Sequence, residues 1–72
     1  MRVLLVEDDE MLGDAVKTYV HRQGHAVDWA LSCEEAEASL LAAAYDLVLL
    51  DLRLPDGSGL DILKALRARR DE

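Results

Sequence analysis

The residues best suited to chemistry are acids that directly follow short apolar runs. Glu7 and Asp8 come after the run 3–6, and Asp51 comes after the run 47–50. Carboxylate oxygens favour hard cations, and a site with few carboxylates and several waters suits Mg²⁺. A carboxylate beside such an ion can be the nucleophile toward a phosphoryl group. We therefore predict that Asp51 accepts a phosphoryl group beside a metal ion.

A simpler interpretation of these acids is that they are solvated or begin helices. That interpretation explains Asp9 fully as a helix N-cap and remains open for Glu7 and Asp8. It is weak for Asp51, which interrupts the most apolar stretch of the chain at a cost that the fold does not require. Asp28, Asp46, Asp56 and Asp61 have ordinary explanations at strand ends, turns or caps.

Three β-α units are predicted to position these acids. Apolar runs at 3–6, 26–30 and 46–50 predict strands. The second run is more polar than the others and predicts a strand at the edge of the sheet. One helix follows Asp9 and ends near Gly24, which occupies the usual C-terminal glycine position. Another follows a capping box, in which Ser32 and Glu35 bond each other's backbone N–H groups, and continues through about Ala44. After a loop at 54–59, Ser58 caps a last helix with Leu60, Leu63 and Leu66 on one side.

The alternation of strands and helices predicts one α/β domain over residues 1–72. Its sheet is parallel, with right-handed crossovers and helices on both faces, so it is doubly wound. With the strand order 2-1-3, the carboxyl ends of the first and third strands are neighbours at the topological switch point, where ligands bind. Glu7, Asp8 and Asp51 should therefore converge there.

Composition limits the possible partners and location. Fifteen acids against eight bases give a formal charge of −7, which argues against sequence-independent binding to nucleic acid. The same charge suits a cation-binding protein, although it also serves solubility. A single cysteine permits no intramolecular disulfide, and no apolar run is long enough for a membrane span. We expect a cytoplasmic protein with no membrane association.

Two motifs together resemble the receiver domain of two-component response regulators. They are VEDD at 6–9 and LLDLRLPDGSG at 49–59, and the likeness covers the whole chain in order and spacing. The Glu-Asp pair and the LPDGSG loop look most like the branch of transcription factors that carries a winged-helix DNA-binding domain. The resemblance implies a flavodoxin-like fold, of which this chain holds the first three of five β-α units.

The resemblance also implies a role for each site residue. Asp51 matches the phosphoacceptor, which is modified by a sensor histidine kinase. Asp8 matches the acid that binds Mg²⁺ directly, Glu7 its partner through water, and Arg53 the residue whose backbone carbonyl completes the metal site. Transcription would then be controlled through a DNA-binding domain that these residues do not include. We expect the chain to be a signalling module and not an enzyme.

The family's remaining site residues do not appear in this sequence, which looks C-terminally truncated. A hydroxyl residue after the fourth strand and a lysine after the fifth are missing. The chain should still bind Mg²⁺ weakly, since the metal ligands are all present. It should take up phosphoryl groups poorly, because the lysine and the hydroxyl that stabilise the transferring charge are missing. A bare third-strand edge would also favour pairing of two copies into a continuous six-stranded sheet.

Two alternatives differ in class from a working receiver. The first is an inert pseudo-receiver that serves only as an interaction module. The second is a phosphohydrolase of the haloacid dehalogenase type, which also uses an Asp nucleophile after a strand. Those enzymes require another Asp two residues further on, where this chain has Arg53.

Overall fold

The computed structural model describes residues 1–51 and 53–70. Most of the predicted elements are present with nearly the expected bounds. The elements are β1 (Arg2–Val6), α1 (Glu10–Arg22), β2 (Ala26–Ala30), α2 (Cys33–Ala42), β3 (Leu47–Leu50), β4 (Arg53–Leu54), β5 (Gly57–Ser58) and α3 (Gly59–Arg70). Among these described helices, none is long and apolar enough to cross a membrane.

The main sheet confirms the predicted order, β2-β1-β3, with all pairs parallel. Val6 at the end of β1 is in register with Ala30 on one side and Leu50 on the other. Hydrogen bonding continues one residue further, because the Glu7 N–H donates to the Ala30 carbonyl and the Asp51 N–H donates to the Val6 carbonyl. The carboxyl ends of the three strands are therefore level.

The core lies on the face of β1 that carries Leu4 and Val6, both fully buried. α2 contributes Ala36 and Leu40 to it, and α3 contributes Ile62. The predicted face of α3 is wrong, because Leu60 and Leu63 are 51% and 38% exposed whereas Ile62 is 0% exposed. Ile62 and Leu66, one helical turn apart, face the core instead.

The predicted helix caps of α1 are confirmed. Asp9 accepts a hydrogen bond from the Leu12 N–H at 3.1 Å, and Gly24 has a φ of 88°, the left-handed conformation that favours glycine at this position. α1 also exposes three large apolar side chains, Met11 at 86%, Leu12 at 51% and Tyr19 at 65%.

α2 differs from its prediction at both ends. It ends at Ala42 and not at Ala44, because Ala43 is already extended with φ −151° and ψ 161°. Ser32 accepts from the Glu35 N–H at 3.2 Å as predicted, but the Glu35 carboxylate accepts from the Leu31 N–H instead of from Ser32. One of the two hydrogen bonds of the capping box is therefore made to the residue before Ser32 instead of to Ser32 itself.

The loop predicted after Leu54 is a tight antiparallel hairpin formed by β4 and β5. Asp56 at its tip is more than a turn residue. Its carboxylate accepts hydrogen bonds from the Cys33 N–H at 2.7 Å and the Glu34 N–H at 3.0 Å, the first two free donors of α2. These bonds lower the pKa of Asp56. They fasten the segment that follows Asp51 to α2.

Candidate functional site

The predicted convergence of acids is confirmed. Glu7, Asp8 and Asp51 each offer one carboxylate oxygen, and these oxygens all lie within 4.8 Å of one another. The first two directly follow β1 and the third directly follows β3, and these strands are direct neighbours that end level. Arg53 lies in β4, and Leu52, which precedes it, lies outside the described residues.

Glu7 is the buried member of the cluster, with only 7% of its surface exposed. Its carboxylate accepts the Asp9 N–H at 3.3 Å. Burial, followed by a hydrogen bond with Asp51, raises the pKa of Glu7 above its usual range. The interpretation of this residue as a solvated strand-end acid is therefore wrong. Asp8, in contrast, is exposed.

Asp51 is half-buried and its pKa moves the opposite way. The Arg53 backbone N–H, which donates to Asp51 Oδ1 at 3.0 Å, is the main cause of a lowered pKa for Asp51, and a hydrogen bond with Glu7 adds to it. Glu7 therefore holds a proton more readily than Asp51, and Asp51 is the more readily ionised of the two.

The donor set of the cluster fits a hard divalent cation. Its ligands are all carboxylate oxygens, and their mutual repulsion favours either a shared proton or a cation among them. One exposed, one half-buried and one buried acid leave the site open to solvent on the Asp8 side, which suits an ion that retains water.

Several acids outside the cluster have structural partners. Asp9 caps α1. Asp28 accepts the Tyr45 hydroxyl at 2.6 Å and the Arg2 guanidinium at 2.9 Å, which lowers the pKa of Asp28. Asp46 accepts the Arg2 backbone N–H at 2.8 Å. These contacts agree with the ordinary roles that the sequence suggested for Asp28 and Asp46.

Trp29 is a neighbour of the site, and its contact with Glu7 was not predicted from the sequence. Its indole N–H donates to the Glu7 carbonyl at 2.9 Å. The indole packs against Gly13, where an added Cβ would overlap the ring. Glycine inside a helix costs about 1 kcal/mol relative to alanine, so Gly13 was the signal in the sequence that a large side chain comes close.

An open parallel sheet with acids at the carboxyl ends of adjacent strands places the domain in the doubly wound α/β class. The chain belongs to the response regulator receiver domain family, whose sequence model matches residues 3–72. This membership argues against the haloacid dehalogenase alternative.

Several sequence relatives of the chain are transcriptional regulatory proteins. The transcriptional regulatory protein QseB of Escherichia coli O157:H7 is 44% identical over 69 residues, which cover 96% of this chain and 32% of that protein. The response regulator protein PmrA of Pseudomonas aeruginosa is 45% identical over 67 residues, which cover 93% and 30%. The predicted likeness to the transcription-factor branch is confirmed. The chain spans about a third of the length of these relatives.

Solved receiver structures share the fold. The non-phosphorylated HemR receiver domain of Leptospira biflexa has a TM-score of 0.90 and 45% identity, over 97% of this chain and 57% of that one. The response regulator TrrA of Thermotoga maritima, solved in complex with Mg²⁺-BeF, has a TM-score of 0.90 and 32% identity, over 96% and 60%. The described sheet is thus part of a receiver fold.

Proposed function

We propose that this chain is the phosphoryl-accepting module of a transcriptional response regulator, with Asp51 as the acceptor. The observation that carries this proposal is the convergence of three carboxylates within 4.8 Å at the switch point of the sheet. The phosphoryl donor is the phosphohistidine of a sensor histidine kinase, and the output is control of transcription through a DNA-binding domain outside these residues. A cytoplasmic location remains a prediction.

The proposed direct ligands of Mg²⁺ are Asp8, Asp51 and the backbone carbonyl of Arg53. Glu7 is proposed to contact the ion through a water molecule. The structure of TrrA with Mg²⁺-BeF supports the choice of ion by relationship, and the all-oxygen donor set supports it by chemistry. When bound, the ion offsets the negative charge of the transferring phosphoryl group.

The chain's own residues prepare Asp51 to react. The Arg53 N–H helps to keep this carboxylate ionised and holds Oδ1 at 3.0 Å. In the transfer, a carboxylate oxygen of Asp51 forms a bond to phosphorus while the phosphorus–nitrogen bond of the donor breaks, and the imidazole leaves with the electron pair. The phosphoryl group stays on Asp51 as a signal, so the chain is proposed to act as a switch and not as an enzyme.

A titration with Mg²⁺ tests whether the pocket is functional. Because the Trp29 indole donates to the Glu7 carbonyl, ion binding should produce a saturable change in the emission of the chain's single tryptophan. Calorimetry on the same sample measures the binding heat, and NaCl at matched ionic strength is the control. A flat emission together with an absent heat would favour the inert interaction module.

We propose further that two copies pair through β3. This strand is at the edge of the described sheet, and Leu47 is 41% exposed. Beside it an open groove of about 750 Å³ lies between the end of α2, β3 and α3, and its apolar lining includes Leu40, Tyr45, Val48, Leu63 and Leu66. Antiparallel pairing of two β3 edges about a two-fold axis would cover both the exposed strand edge and the groove.

Light scattering at high protein concentration tests this pairing. We expect a folded dimer for the unchanged chain and a monomer for Leu47→Lys, since a lysine on an edge strand opposes edge-to-edge pairing. Leu41→Lys is the matched control, because Leu41 is 79% exposed on α2 and does not line the groove. A folded monomer of the unchanged chain would rule the pairing out.

A further inference from the structure

Trp29 makes a specific polar contact with the main chain of the acid cluster. The indole N–H donates to the carbonyl of Glu7 at 2.9 Å. Trp29 itself is half-buried, in β2, at the position in register with Leu5 of β1. Its reach to the residue that follows β1 depends on Gly13 in α1, where an added Cβ would collide with Cζ2 and Cε2 of the indole and lie 2.9 Å from its Nε1.

Glu7 is held at three points, and β2 supplies two of them. The Glu7 N–H donates to the Ala30 carbonyl at 3.0 Å, and the Glu7 carbonyl accepts the Trp29 indole. The third point is its carboxylate, which accepts the Asp9 N–H at 3.3 Å. Two consecutive residues of β2 therefore fix both the N–H and the carbonyl of Glu7, the most buried acid of the cluster. β2 itself carries no acid of the cluster.

We infer that Trp29 is a positioning residue for the acid cluster, and that Gly13 provides the space in which it acts. The inference rests on the proposed function, because it concerns the same Mg²⁺ site. The peptide between Glu7 and Asp8 contains the carbonyl that Trp29 binds. Rotation of that peptide would move the Asp8 side chain and the start of the loop that follows β1.

The physical reason is preorganisation. Without the indole donor, the Glu7 carbonyl loses its side-chain partner, and its peptide gains freedom that binding must remove again. Binding sites of this kind require their groups to be held within about 0.5 Å of the productive arrangement. If Trp29 served only in packing, its replacement would leave the Mg²⁺ affinity of the folded chain unchanged. The positioning role and the packing role therefore predict different Mg²⁺ affinities.

The sharpest test replaces Trp29 by 3-benzothienylalanine, in which sulfur takes the place of the N–H group and the ring keeps its shape. Ligation at the single cysteine, Cys33, makes this change accessible, because a synthetic segment 1–32 carries position 29. By calorimetry at a temperature where both proteins are folded, we expect Mg²⁺ binding to weaken roughly three- to tenfold, the effect of one net hydrogen bond.

Two further measurements separate positioning from packing. Gly13→Ala should displace the ring and weaken Mg²⁺ binding at least as much, provided that circular dichroism shows the variant folded. In the unchanged chain, the single indole N–H resonance should shift on addition of Mg²⁺. A benzothienyl variant that melts earlier but binds Mg²⁺ as the unchanged chain does would overturn the inference.

The outcomes also separate this inference from the proposed function. If the unchanged chain binds Mg²⁺ and the benzothienyl variant binds it equally well, the positioning role is wrong and the function stands. If the unchanged chain binds no Mg²⁺, the proposed function fails and the positioning role fails with it.

Discussion

Asp51→Asn is expected to abolish phosphoryl uptake from acetyl phosphate in the presence of Mg²⁺, whereas the unchanged chain should be labelled in low yield. An amide oxygen is a poor nucleophile compared with the carboxylate that the Arg53 N–H helps to keep ionised. Removal of a nucleophile usually costs many orders of magnitude, so we expect a loss of at least about a thousandfold. Incorporation of radiolabelled phosphoryl groups measures it.

Asp9→Asn is the matched control for this experiment. Asp9 belongs to the same acidic run but caps α1 through the Leu12 N–H, and asparagine caps a helix about as well as aspartate does. We expect Asp9→Asn to be labelled like the unchanged chain. Full labelling of Asp51→Asn would mean that another residue is the acceptor.

Asp8→Ala is expected to weaken Mg²⁺ binding by at least about a hundredfold. Loss of a residue that only supports a metal ligand already costs 10- to 100-fold in affinity, and Asp8 is proposed as a ligand itself. Asp8 is exposed, so its replacement should leave the core and the sheet intact. Calorimetry measures the affinity, and circular dichroism checks the fold.

Asp14→Ala is the control for the charge of Asp8. It removes one negative charge from an exposed position of α1 that is not part of the carboxylate cluster. The net charge of the chain changes by the same amount in both variants, so a larger loss of affinity in Asp8→Ala reports the place of Asp8 in the carboxylate cluster. Equal affinities for the two variants would remove Asp8 from the metal site.

The sheet and the convergence of acids could be predicted because they follow from local patterns. The unbroken apolar run 3–6 indicates a strand that is buried on both faces, and such a strand belongs in the centre of a parallel sheet. Once β1 is central, Glu7 and Asp51 must meet at the switch point. Asp9 and Ser58 were predictable as caps for the same reason, since each bonds an N–H within its own turn.

Contacts between distant segments could not be predicted in this way. The apolar residues of α3 lie on more than one face of the helix, so its own pattern does not decide which face is buried: Leu60, Ile62, Leu63 and Leu66. The buried face depends on the hairpin that precedes the helix. Asp56 caps a helix that begins 23 residues earlier, so no local pattern marks it. Trp29 and Gly13 are likewise joined only by the packing of β2 against α1.

The position of the phosphoryl group on the chain tests the central claim most directly. Borohydride reduces an aspartyl phosphate to homoserine, so peptide sequencing by mass spectrometry after Mg²⁺, acetyl phosphate and borohydride identifies the acceptor. We predict homoserine at position 51 alone, and only when Mg²⁺ was present. Homoserine at position 7 or 8, or no modification at any acid under conditions that label a complete receiver to high yield and detect trace product, would contradict the claim.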